Sequence, residues 1–443
     1  MKYIIIICLE LLSFVRLLSQ DTLSLEMAIV KGLQNNYQIR ISDKLLEINR
    51  NNNSWGAAGR YPTINFNTSA TGIANRYVSQ ELAYIADTLG VNTEQRLSIT
   101  PTINLNWVIF DGFAVNITKS KLDDLERLSE GNSAIVIESA LQSIIIAYHN
   151  SLLQQEALGV LNEVKKLSRD RYSYILARKQ LGNSVTFDVL QAQNNYLTDS
   201  AGAINQELNL KNSLRNLNFL LAESAEKDYI LKPEATVEEN EFILGDLISK
   251  LENSNRTLQN QYINQEILTK ELKYSKSSLY PSLSLTAGFG RTFSGLYGDL
   301  EQYTEWDHNG YQATGGLTLS YLLSSGGNVR RAIQNARIQM EIGEIQIEEI
   351  RQKLYNQLFN TLEQYNIKKQ LLHVANASVE SAALNLQIAE EKFKSGAINS
   401  FNYRDIQLIY LEAVRAQLLA HYNLVVSYTE LLRLTGGIIT EYE

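Results

Sequence analysis

Between Thr63 and Ala74 the chain alternates, with Ile64, Phe66 and Ala70 on one parity and Asn65, Asn67, Ser69 and Thr71 on the other. Ser98–Phe110 repeats the pattern, setting Ile99, Ile103, Leu105, Trp107 and Ile109 against Ser98, Thr100, Thr102, Asn104 and Asn106. It returns as Leu283, Leu285, Ala287 and Phe289 against Ser282, Ser284 and Thr286. A last stretch sets Leu317, Leu319, Tyr321 and Leu323 against Thr314, Thr318 and Ser320. Successive side chains of a strand point to opposite faces. The pattern therefore predicts four strands at about 61–76, 96–110, 280–293 and 312–323.

Elsewhere the period changes. From Phe113 to Leu181 apolar residues recur every three or four positions, as in Ile137, Leu141, Ile144, Ile145, Tyr148 and Leu152. This predicts a long helix at about 112–181, with a counterpart at about 328–395. Tight hairpins at 182–186 and 396–400 follow, then returning helices at 186–222 and 400–435. At 1.5 Å per residue the long helices reach on the order of 100 Å, and they must pack side by side as a coiled coil or a helical cylinder. Asp111 and Ser325 stand where an N-cap is wanted. Gly182 and Gly396 stand where a helix end takes a left-handed residue. Thr186 and Ser400 are expected to cap the returning helices.

These elements form an internal repeat. Asn106–Gly112 lines up with Ser320–Gly326 at an offset of 214, and Gly182–Gln193 with Gly396–Gln407 at the same offset. Tyr61-Pro62 meets Tyr280-Pro281 at 219. The expected organisation is repeat one at 21–222, an acidic unrepeated join at 223–245, repeat two at 246–437 and a tail at 438–443. The loops at 77–93 and 294–310 join strands and are expected at the end far from the helices.

Composition sharpens the reading. Only four prolines occur in 443 residues, and none lies between 102 and 232 or after 281, which permits very long helices. The only cysteine is Cys8, so there is no disulfide framework or cysteine-based zinc site. Four scattered histidines show no paired ligand spacing, and neither a metal site nor a cofactor is expected. Residues 1–20 combine Lys2, an apolar core and Ser19-Gln20 before Asp21, which reads as a secretory signal; an uncleaved anchor is the alternative. Removing it moves the net charge from −8 to −9. No basic patch points to nucleic acid.

Alternation also suits a half-buried soluble sheet, but two features favour lipid. The polar faces are uncharged (Asn65, Asn67, Thr102, Asn104, Ser284 and Thr318 among them), as a watery lumen requires. The aromatics Tyr61, Trp107, Phe110, Tyr280 and Tyr321 gather where strands meet helices, like an interfacial girdle. Four strands cannot close a transmembrane barrel, so several chains must contribute; two would supply eight strands and three twelve.

Phe110-Asp111-Gly112 at the strand exit, Tyr-Pro before each strand pair and the Gly182-x5-Asp188-Val-Leu-x-Ala-Gln193 hairpin together resemble the TolC-like outer-membrane efflux proteins. The resemblance runs from about Leu23 to Gly437. It implies a mostly α fold with transmembrane β strands, and a homotrimer with a twelve-stranded β-barrel and a twelve-helix periplasmic α-barrel. The implied partners are a periplasmic adaptor, an inner-membrane transporter and outer-membrane lipid. The implied function is a non-enzymatic exit duct; a periplasmic coiled-coil scaffold is the alternative, separable by detergent dependence and conductance. The resemblance also marks a periplasmic gate. Asp188 matches the acid of the first hairpin and Asp405 the later acid of the second. Asn402 stands where a further acid is expected, and Ile398 where some relatives carry an arginine. Asp188 and Asp405 alternatively serve only their own helix N-termini.

Overall fold

In the computed structural model residues 21–78, 91–233, 240–298 and 308–442 are described. The expected leader at 1–20, the centres of the strand-joining loops and the middle of the acidic join lie outside them. The elements are β1 (Asp21–Leu23), α1 (Leu25–Asn35), α2 (Tyr37–Asn52), β2 (Thr63–Val78), β3 (Val91–Asp111), α3 (Ala114–Gln180), α4 (Thr186–Leu220), β4 (Tyr229–Leu231), α5 (Leu244–Ser254), α6 (Arg256–Ser277), β5 (Ser282–Gly298), β6 (His308–Ser320), α7 (Asn328–Lys394), α8 (Ser400–Leu434) and α9 (Ile438–Tyr442). The long helices α3 and α7 have 67 residues each, and the returning helices α4 and α8 have 35 each. The 214-residue offset thus holds from the start of each long helix to the end of its partner.

One compact unit comprises residues 47–129 and 262–346. Its antiparallel sheet has the order β2-β3-β5-β6. Register joins Ile64 to Leu105 and Leu105 to Ala287, and likewise Phe66 to Ile103 and Ile103 to Phe289. Asn65 pairs with Asn104 and Asn67 with Thr102, while Ser284 pairs with Thr318. Directly opposed residues share a face. The sheet therefore has one apolar and one hydrophilic face, and all six expected lumen residues fall on the hydrophilic one. Ile64, Phe66, Leu317 and Leu319 are about two-thirds exposed, far more uncovered apolar surface than a soluble sheet tolerates.

Three strand expectations need correction. A register shift between Val108 and Phe110 leaves Ile109 without a partner on β5. A bulge of this kind resets the parity, so Phe110, opposite Leu283, joins the apolar face in place of Ile109. The last strand ends at Ser320, not 323, because its partner β5 begins at Ser282, opposite Ser320 and directly after Pro281, which has no N–H to extend the ladder. Tyr321 and Leu323 lie beyond it. β3 begins at Val91 rather than 96, since its backbone ladder with β2 runs on through Asn92, Thr93 and Glu94, where no apolar alternation marks it.

The strand-to-helix turn carries real backbone strain. Gly112 and Phe113 both have positive φ, 70° and 71°. A Cβ on Gly112 would stand 2.4 Å from the Ser277 carbonyl oxygen, so only glycine fits. The carboxylate of Asp111 accepts from Val115 N at 3.0 Å, and Ser325 Oγ from Val329 N at 3.2 Å. The two cap candidates therefore do equivalent work one repeat apart.

The other unit comprises residues up to 46, 130–261 and from 347 onward. Its core includes Leu23, Ile144, Ile145, Tyr148, Leu217, Leu231, Leu358, Tyr365 and Leu434. The short parallel pair β1–β4 is clasped by Tyr148, whose hydroxyl reaches the Leu23 carbonyl at 3.0 Å and the Lys232 carbonyl at 2.8 Å. The repeat is written again in hydrogen bonds. Asn36 Nδ2 donates to the Leu220 carbonyl at 2.9 Å and its Oδ1 accepts from Ile39 N. Asn255 does the same with the Leu434 carbonyl at 3.0 Å and Leu258 N. Each asparagine starts one helix and satisfies the end of another.

The helical tip as a candidate functional site

Both hairpins turn on glycine. Gly182 and Gly396 have φ of 76° and 78°. Gly182 N bonds Lys179 O and Asn183 N bonds Arg178 O, while Gly396 N bonds Phe393 O and Ala397 N bonds Lys392 O. This double closure of a helix C-terminus needs a left-handed residue.

The starts of the returning helices differ from expectation. Thr186 and Ser400 are first helical residues, not caps. Asn399 caps α8, its Oδ1 accepting from Phe401 N at 3.1 Å and Asn402 N at 2.9 Å. Valine has no acceptor, so at α4 Asp188 does the work from inside the helix. Its carboxylate accepts from Ser184 Oγ at 3.1 Å and from Val185 N at 3.5 Å. Asn402 and Asp405 are exposed. Phe187 and Phe401, 214 residues apart, stack at 6.3 Å, so equivalent residues of the two hairpins meet. Small clusters close each hairpin: Ile175 with Val189 in the first, Ala389 with Phe393 and Tyr403 in the second.

Just above the turns lies a buried polar network that the sequence did not announce. Arg404 donates through Nη1 and Nη2 to the two carboxylate oxygens of Asp199, at 2.7 and 2.6 Å. Ser168 Oγ donates to the same carboxylate and accepts from Arg404 Nη1 at 3.2 Å. Arg171, only 2% exposed, donates through Nη1 to the Ser400 carbonyl at 3.4 Å. Burial, and after it the Arg404 charge, pull its pKa down to about 10. Only Arg404 bonds the Asp199 carboxylate, and Arg171 lies within its electrostatic reach, so the network draws on α3, α4 and α8. A usable signal was present, namely broken repeat symmetry. At the 214 offset Asp199 corresponds to Ala413, Arg404 to Leu190 and Ser168 to Ala382.

Of the aromatic set, Phe110 and Tyr280 come together through Phe113, with ring distances of 5.3 and 6.3 Å. Trp107 Nε1 donates to the Arg60 carbonyl at 2.9 Å. Tyr61, Tyr280 and Tyr321 are exposed. Further from the tip, His149 and His421 face each other at 6.2 Å beside a cavity of about 230 Å³ that Glu156 and Tyr422 also line. Burial, then the neighbouring His421, lowers the His149 pKa to about 4. Among the described residues no three His, Cys, Asp or Glu side chains converge as metal ligands. No helix there is long and apolar enough to cross a membrane.

A sequence profile described as outer membrane efflux protein matches residues 28–223 and 247–437. No curated protein matches the chain. Among solved structures, the CmeC outer membrane channel of Campylobacter jejuni superposes with a TM-score of 0.71 at 16% identity, covering 94% of this chain and 86% of that one. The outer membrane protein VceC of Vibrio cholerae gives 0.69 at 15%, covering 93% and 96%. The open state of the Neisseria gonorrhoeae MtrE outer membrane channel gives 0.66 at 14%, covering 94% and 89%.

Proposed function

The chain belongs to the outer membrane efflux protein family, and from that premise we propose that three copies of it form one conduit. Membership places it in the outer membrane, extending into the periplasm, as the exit duct of an efflux system. The observation that carries the assembly is the sheet's incompleteness: β2 and β6 are open edges beside an exposed apolar face. An unpaired backbone group in lipid costs several kcal/mol, so the edges must meet those of other copies. Three sheets joined edge to edge supply twelve strands.

In that closed form Asn65, Asn67, Thr102, Asn104, Ser284 and Thr318 line water, and the opposite face meets acyl chains. Tyr61, Trp107, Phe110, Tyr280 and Tyr321 sit at the periplasmic interface. Gly182 and Gly396 shape the tip. Asp405, exposed on its helix, is one of three carboxylates around a narrow axis, where it favours cations. Asp188 holds its helix start and Asn402 weakens the acidic ring. The Arg404–Asp199 pair keeps the two hairpins of a protomer together. A periplasmic adaptor docks at this tip, and an inner-membrane transporter supplies the energy.

Light scattering on the detergent-purified protein is expected to give the mass of three chains, and planar bilayers a passive conductance. A monomer without conductance overturns the conduit. An ion selectivity unchanged in Asp405→Ala overturns the tip assignment alone.

A further inference from the structure

Arg291 is a cation on the wrong face. It lies on the parity of Leu283, Leu285, Ala287, Phe289 and Phe293, and it is paired in register with Tyr311. Its guanidinium carbon sits 4.4 Å from the Phe293 ring centroid and 4.9 Å from that of Tyr311. Nε donates to Asn309 Oδ1 at 2.6 Å, and Phe289 stacks on Tyr311 at 6.2 Å. The stack fixes the guanidinium plane. Nε is thereby occupied, while Nη1 and Nη2 have no hydrogen-bond partner among the described residues. No carboxylate among the described residues pairs with it.

The height of this group on the sheet is informative. From Tyr280 in the lower girdle to Arg291, at about 3.3 Å per residue, is about 36 Å along the chain. With a tilt of about 40° that becomes about 28 Å along the membrane normal, close to the roughly 25 Å apolar band of a transmembrane barrel. Arginine is costly at the midplane and tolerated at the interface. Phe289, Phe293 and Tyr311 therefore form a second aromatic girdle at the far end of the strands, with one fixed cation in it.

We propose that Arg291, held by Phe293, Tyr311 and Asn309, binds the phosphate of an outer-leaflet lipid on the barrel's outer surface. The proposal rests on the membrane-spanning reading above. Two parallel N–H groups match two phosphate oxygens, the Phe293 and Tyr311 rings beside the guanidinium hold it in place, and the neighbouring apolar face receives the acyl chains. One site per protomer follows.

The test is native mass spectrometry of the delipidated full-length assembly, titrated with diphosphoryl lipid A, with the same lipid stripped of phosphate, and with inorganic phosphate. The wild type is expected to prefer the phosphorylated lipid at least tenfold. Arg291→Gln should remove that preference, and Arg291→Lys, which keeps the charge but loses the planar two-pronged donor, should lose most of it. Arg96→Gln, on the hydrophilic face of the same sheet, should leave it unchanged. Equal retention of the two lipids by the wild type overturns the proposal without recourse to any variant. So does loss in Arg96→Gln equal to that in Arg291→Gln, or binding of inorganic phosphate as tight as that of the lipid. Failure of the protein to conduct in bilayers would instead strike the membrane reading, a separate measurement.

Discussion

The guanidinium of Arg404 grips both oxygens of Asp199, at 2.7 and 2.6 Å, and so fastens α8 of the second repeat to α4 of the first. Both side chains are largely withdrawn from solvent. A two-pronged pair in such surroundings is stronger and more directional than a surface ion pair. Duplication would allow two such bridges per chain. Ala413 and Leu190 stand at the second set of positions, so this pair has no counterpart one repeat away.

Breaking that pair from one side should cost more than removing both halves. Arg404→Met leaves Asp199 buried without its partner, a loss of about 3–5 kcal/mol. Amide exchange near Ser168, Asp199 and Ser400 should accelerate, and single-channel conductance should rise as the tip loosens. The double change Asp199→Leu with Arg404→Met should recover most of the thermal stability yet keep the raised conductance. A double variant as unstable as the single one would show that the pair is not the coupling element.

Adjacent residues on β3 give the cleanest test of the sheet's two environments. Leu105 lies on the apolar face between Ile64 and Ala287, and Asn104 on the hydrophilic face between Asn65 and Gly288. An arginine at the lipid-facing midplane costs about 2–4 kcal/mol per chain. Leu105→Arg should therefore sharply lower the yield of membrane-assembled protein, whereas Asn104→Arg should assemble and lower cation conductance. Equal yields from the two variants, read by heat-modified mobility on gels, would refute the assignment of faces.

What could be read from the chain beforehand follows from how local each cause is. Period-two alternation located the sheet and its two faces because it needs only neighbouring residues. The 214-residue offset was visible because equal helix lengths carry it without gaps. Gly182 and Gly396 were legible because a left-handed φ leaves little choice of residue. Phe110 was assigned to the girdle, yet the parity around it came out wrong, since the bulge at Ile109 depends on the partner strand. Asp199 and Arg404 lie 205 residues apart with no spacing rule to join them. Asn36 and Asn255, though equivalent, look in isolation like any polar residue between two helices.

Two glycines in equivalent turns should respond differently to the same substitution. Gly326 has φ of 60° with open space around it. Gly326→Ala should cost only the left-handed penalty, about 1–2 kcal/mol. At Gly112 an added Cβ would in addition press on the Ser277 carbonyl oxygen, at 2.4 Å, and on Tyr280 Cβ, at 2.8 Å. These atoms belong to the chain entering β5 and cannot swing aside. Gly112→Ala should lose about 4 kcal/mol or more, seen as a much lower unfolding midpoint or loss of folded protein. Similar midpoints for the two variants would contradict this account.

Buried His149, facing the half-buried His421, predicts how stability depends on pH. His149 is held neutral in the folded state, with a pKa of about 4 against 6.5 for the free side chain. Between those values the unfolded chain binds the extra proton, so stability is complete above about pH 6.5 and falls as the pH drops toward 4. The loss from His149 alone is at most about 3 kcal/mol. His421, whose pKa burial also lowers, acts in the same direction. Glu156, whose pKa burial raises, opposes it, because its folded carboxyl keeps a proton that the unfolded one has released. His149→Phe removes the main titrating group while filling similar space between α3 and α8. Denaturant midpoints for this variant should fall clearly less between pH 6.5 and 4.5 than those of the wild type, the remainder coming from His421. Parallel curves for the two proteins would place the acid sensitivity elsewhere in the chain.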